Sequence, residues 1–145
     1  MTTTTDYSYE FQTPLSASEV LEILQDIPQW WSGFYNESIS GTASQPGDEF
    51  SFSAGDGMHY SKQRLVELIP NQKITWLVVE SNLSFLQDTQ EWNNTQISFE
   101  LKSNDKGTIV LFTHIGLTSE VECFDSCTDA WTNYLKKLKG QLANN

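Results

Sequence analysis

The chain has 145 residues, with 19 acidic against 8 basic side chains and a formal net charge of -11. Such a balance repels phosphate backbones and anionic lipid surfaces, and a single arginine, Arg64, with no run of Lys and Arg between aromatics, leaves no nucleic-acid groove to argue for. The length suits one domain over residues 1–145, and five Trp, eight Phe and five Tyr suffice for a core without staples.

Residues 1–5 are polar and expected to be disordered. They carry neither a basic n-region nor an apolar h-region, so the expectation is a cytoplasmic protein, not bound to membrane. Tyr7-Ser8-Tyr9-Glu10-Phe11 alternates aromatic and polar side chains, the period of a half-buried strand. Pro14 ends it, and Ser16-Ala17-Ser18-Glu19 reads as a capping box that opens a short helix with Val20, Ile23, Leu24 and Ile27 on one face. Pro28-Gln29-Trp30-Trp31 starts a second, shorter turn.

Ser38-Ile39-Ser40 and Glu49-Phe50-Ser51-Phe52 read as successive strands. Gly55-Asp56-Gly57 supplies a hairpin into a long strand from about Met58 to Ile69. Pro70-Asn71-Gln72 turns the chain into Lys73–Glu80, rich in β-branched residues and Trp. Thr95–Leu101 and Thr108–Ile115 are two further strands around the turn Asn104-Asp105-Lys106-Gly107. Residues 81–94 show no period and are taken as a loop or distorted strand. Ser119-Glu120-Val121-Glu122 suggests a second capping box, before a helix from Ser119 to about Leu142 with Phe124, Cys127, Trp131, Leu135, Leu138 and Leu142 at helical spacing.

These elements bury their apolar faces together if six or seven antiparallel strands curl around the last helix, an α+β helix-grip fold. The same order occurs in START-like (SRPBCC) proteins. Several stretches resemble one branch of that superfamily, related to the C-terminal domain of activators of the heat-shock-protein-90 ATPase. They are Pro28-Gln29-Trp30-Trp31, Arg64 to Pro70 followed by Ile74-Thr75-Trp76, Thr108 to Leu117, Cys123 to Cys127, and Ala130-Trp131.

The resemblance implies a cavity between sheet and helix for an apolar or amphipathic molecule. Candidate lining residues are Trp31, Phe50, Phe52, Trp76, Val78, Phe112, Phe124, Trp131 and Leu135, with Tyr60, Arg64 and His114 to orient the ligand. Arg64 and Lys62 share strand parity with Met58, Tyr60, Val66 and Leu68. In an unbroken strand they would bring a positive charge to a carboxylate-bearing ligand; in a bulged one they would stand in water.

Cys123, Cys127 and His114 could supply three metal ligands, but the reading preferred is of reduced thiols packed as small hydrophobes, with a disulfide disfavoured by helix geometry. No metal or cofactor is implied. No GxSxG, HExxH or phosphate-cradling loop occurs. The function expected is non-enzymatic ligand binding. The alternatives are a protein-interaction module or co-chaperone, as monomer or homodimer, and a cyclase- or hydratase-type enzyme using His114.

Overall fold

The computed structural model describes residues 6–143, so the stretch expected to be disordered, 1–5, lies outside the described residues. Seven strands form one antiparallel sheet: β1 (Tyr7–Thr13), β2 (Ser38–Gly41), β3 (Glu49–Ala54), β4 (His59–Ile69), β5 (Lys73–Leu83), β6 (Gln96–Asn104) and β7 (Gly107–Ile115). Their order across the sheet is β1-β7-β6-β5-β4-β3-β2. Two short helices, α1 (Ala17–Gln25) and α2 (Ile27–Trp30), lie between β1 and β2, and α3 (Phe124–Ala143) follows β7. The fold is an α+β helix grip.

The expected cap of α1 is present in full: Ser16 Oγ accepts from the Glu19 N–H, and the Glu19 carboxylate accepts from the Ser16 N–H at 3.2 Å. Across the sheet, directly opposed residues share a face. The pairs Tyr9 with Phe112, Phe11 with Val110, Phe99 with Phe112 and Trp76 with Ile97 therefore pave one side with rings and branched chains. Onto that side α3 lays Trp131, Leu135, Leu138 and Leu142, all buried. Each such side chain stabilises the fold by roughly 1.5–3 kcal/mol through the surface it removes from water. Two hydrogen bonds tie α3 to the edge strand β1: Tyr7 Oη with Thr132 Oγ1 at 2.7 Å, and Thr13 Oγ1 to the Leu142 carbonyl at 3.0 Å.

α3 begins five residues later than its sequence suggests. Residues 119–123 form turns, and the 20-residue helix spans about 30 Å. The cap comes from a distant segment: the Glu91 carboxylate accepts from the N–H groups of Glu122 at 2.7 Å and Cys123 at 2.9 Å. Glu122 returns the contact by accepting from the Gln87 N–H at 3.0 Å. The segment of unclear period divides accordingly, with 81–83 continuing β5 and 84–94 forming a loop clasped to the start of α3. No helix among the described residues is long and apolar enough to cross a membrane.

Loss of this distant cap, in Glu91→Ala, is expected to lower stability by about 1–2 kcal/mol. Ser119→Ala is expected to change it by less than about 0.5 kcal/mol. Urea midpoints compare the two directly, and equal losses would return the capping role to Ser119.

Candidate ligand-binding cleft

Between the first half of α3 and the β3–β4 hairpin lies an open cleft of about 370 Å³, inside the range of roughly 300–1,000 Å³ typical of small-molecule sites. Small residues leave the space: Ala54 from the end of β3, Gly55 from the turn, and Ala130 from α3. Its deep wall is aromatic. Trp31 stacks on Phe52 with centroids 4.3 Å apart and meets Trp131 at 4.8 Å, while Trp92 lies parallel to Trp131 at 6.0 Å.

Two loops frame the mouth. In residues 33–37, the Glu37 carboxylate accepts from the N–H groups of Gly33, Phe34 and Tyr35 at 2.9–3.1 Å and from Tyr134 Oη at 2.6 Å. Burial pushes the Glu37 carboxyl up, but these hydrogen bonds together outweigh it and hold the group below its ordinary value. Lys137 Nζ donates to the Ser32 carbonyl at 2.8 Å, lying so close to Gly33 that a side chain there would meet it. The second frame is loop 84–94, held by Glu91. Phe34, Tyr35, Met58 and Phe85, exposed by 40–51 %, form an apolar rim.

The candidates named from sequence separate into three groups. Trp31, Phe52 and Trp131 line the cleft. Phe50, Trp76, Val78, Phe112 and Leu135 are buried in the packed core behind it, and Phe124 packs half-buried against that core. Tyr60 and Arg64 are on the opposite face of the sheet. In β4 it is Ser61, Gln63 and Leu65 that turn inward, because they pair with or follow on from Phe52 and Phe50 in β3. Arg64 instead opposes Glu49 and donates to it at 2.8 Å, with Lys62 3.3 Å from the same carboxylate. The positive anchor for a carboxylate ligand is thus absent from the cleft.

His114 is buried, and its ring nitrogens are committed within the fold. Trp131 Nε1–H donates to Nδ1 at 3.0 Å, so the ring proton sits on Nε2, which donates to Thr95 Oγ1 at 2.9 Å. The Thr95 hydroxyl in turn donates to the Trp92 carbonyl at 2.7 Å. Burial holds His114 neutral, down at about 3 against an ordinary 6.5, with His59 adding to the effect. This is a pin between α3, β7 and loop 84–94. Cys123 and Cys127, expected as thiols, are joined in a disulfide with Cα atoms 5.5 Å apart. The late start of α3 explains the difference, since Cys123 sits outside the regular helix. Among the described residues no three His, Cys, Asp or Glu side chains are grouped to hold a metal.

Sequence reasoning passed over Tyr35, Met58, His59, Phe85, Trp92, Asp129, Ala130 and Tyr134 as cleft residues. Two of them carried a usable signal. Ala54 pairs with His59 across a four-residue turn, so the alternation Phe50, Phe52, Ala54 places His59 on the inner face. Tyr134 stands one helical turn beyond Trp131. His59 meets Trp92 edge to face at 4.6 Å, and burial lowers its pKa to about 4.

Both histidines bind protons less well folded than unfolded, so the stability they permit above about pH 6.5 is lost as pH falls toward 4, by up to about 1.4 kcal/mol per pH unit each. His114→Leu is expected to cost about 1–3 kcal/mol at pH 7 by leaving the Trp131 N–H unmet, and to reduce the histidine-dependent loss between pH 7 and pH 5 by about half. Urea unfolding at both pH values tests this; a variant as pH-sensitive as the parent would place that titration elsewhere.

The description of one protein family, Activator of Hsp90 ATPase homolog 1-like protein, matches residues 23–143. No curated protein gave a significant sequence match. Among solved structures, the solution structure of the Aha1 dimer from Colwellia psychrerythraea is 23% identical, with 97% of each chain covered and a TM-score of 0.75. Protein MLL2253 from Mesorhizobium loti is 17% identical over 95% of this chain and 96% of that one, with a TM-score of 0.72. Protein CV1439 from Chromobacterium violaceum is 15% identical, over 96% and 97%, with a TM-score of 0.70. At these identities the likeness is one of fold.

Proposed function

The chain belongs to the Activator of Hsp90 ATPase homolog 1-like family, and from that premise we propose that it is a non-enzymatic protein that binds a small apolar or amphipathic molecule beneath α3. The observation that carries the reading is the open cleft of about 370 Å³, walled by Trp31, Phe52, Trp92 and Trp131. A ligand entering it would bury apolar surface at roughly 25 cal/mol per Å², before the costs of association are subtracted. His114 offers such a ligand nothing to react with, since both nitrogens are engaged.

A second reading, a protein-interaction module, draws support from the exposed rim of Phe34, Tyr35, Met58 and Phe85 and from the family name. In it the rim meets a chaperone or a second copy of the chain; the similar Colwellia psychrerythraea protein is a dimer. Light scattering and a chaperone pull-down repeated across ionic strengths address it.

Ala130 lines the cleft and its methyl is partly exposed, so Ala130→Phe should fill the space without unfolding the protein. An uncharged solvatochromic dye such as Nile red is expected to bind the parent with a blue shift, and to bind Ala130→Phe at least about tenfold more weakly, a loss of roughly 1.4 kcal/mol. Equal dye binding by both, at unchanged thermal midpoints, would remove the cleft as the site.

A further inference from the structure

Acidic side chains predominate around the cleft: the cation nearest its mouth is Lys137, whose ammonium is bound to the Ser32 carbonyl at 2.8 Å beside Gly33. All eight Lys and Arg residues lie at positions 62–73, 102–106 and 136–139, so residues 1–61, 74–101 and 107–135 contain none. Every segment that lines the cleft falls within those cation-free stretches. Its mouth segments carry Glu37, Asp56, Asp88, Glu91, Glu122, Asp125 and Asp129.

Five of these acids are engaged within the fold: Glu37, Asp88, Glu91 and Glu122 accept backbone N–H groups, and Asp56 accepts from the Asn36 side-chain amide. Asp129 is different. It is exposed on α3, lines the cleft, and forms no salt bridge among the described residues. Its charge also reaches Tyr7 on the β1 side, and it shares the cleft lining with the aromatic residues Tyr35, Phe85, Tyr134, Trp31 and Trp131. The Tyr134 hydroxyl is held by Glu37, which leaves the ring face as its contribution. A ring face is attractive to a cation and unattractive to an anion. His59, the titratable group in the deep wall, is neutral at physiological pH.

We infer that the cleft selects a cationic amphiphile, a ring-bearing amine whose apolar body lies between Trp31 and Trp131 while its ammonium stays at the mouth between Asp129 and the aromatic rim. The inference rests on the binding reading above and specifies the ligand class. It reverses the charge that Arg64 suggests from sequence. The low-dielectric walls keep the field of the acidic mouth focused on the opening, so an anionic ligand meets repulsion before it meets any ring.

Three probes with the same body separate the contributions: naphthylmethylamine, naphthylmethanol and naphthoate, titrated calorimetrically into the full chain at pH 7 and low salt. The amine is expected to bind tightest, at least about fivefold above the alcohol, with naphthoate weakest. Asp129→Asn, an exposed substitution compatible with folding, is expected to weaken the amine by about two- to fivefold while leaving the alcohol unchanged. Raising salt to about 0.5 M should compress the amine-to-naphthoate ratio. Binding of the alcohol with no preference for the amine, or an amine affinity indifferent to Asp129→Asn, would overturn the charge selection and leave the binding reading standing. Failure of all three probes to bind would overturn both.

Discussion

One indole, Trp131, joins α3 to the interior of the sheet. Trp131 presents a large apolar surface to Trp31, Phe112 and Trp92. Its Nε1–H donates to His114 Nδ1 at 3.0 Å. An enclosed donor without a partner costs about 1–3 kcal/mol, so sliding the helix along β7 or rotating it would forfeit that bond. Because His114 Nε2–H donates to Thr95 Oγ1, and the Thr95 hydroxyl donates to the Trp92 carbonyl, the same constraint sets loop 84–94. The cleft is what remains once the helix is held there, opposite a hairpin whose inward residues are small.

The regular parts of this architecture were legible because they follow a period. Strand alternation, the turn residues and the Ser16–Glu19 box each specify local structure through contacts a few residues apart. What could not be read depends on long-range partners. The box at Ser119 has the right residues, yet Glu91 supplies the oxygens from another segment, and that competition has no local signature. In β4 the sequence left two readings open, an unbroken strand that carries Lys62 and Arg64 inward and a bulged one that leaves them in water. The strand has register shifts at Lys62/Gln63 and Leu65/Glu67, and both cations stand outside. Pairing with Phe50 and Phe52 in β3 decides the matter in favour of Ser61 and Gln63.

The cleft residues divide along the same line. Trp31, Phe52 and Trp131 were found because large rings on amphipathic elements are bound to face inward. Tyr35 and Phe85 lie on loops with no period, and Ala130 matters for what it lacks, which no hydrophobicity pattern records. His114 was singled out correctly as an inward group, but a lone imidazole looks the same in sequence whether it serves a ligand or a neighbouring indole.

The two loops at the mouth are fastened by carboxylates that grip main-chain N–H groups, Glu37 from within its own loop and Glu91 from the loop to the helix start. Such a clasp is blind to side-chain identity. Phe34, Tyr35 and Phe85 can therefore be exchanged by drift or by design while the loops keep their path. The lining of the mouth can in this way change without renegotiating the scaffold.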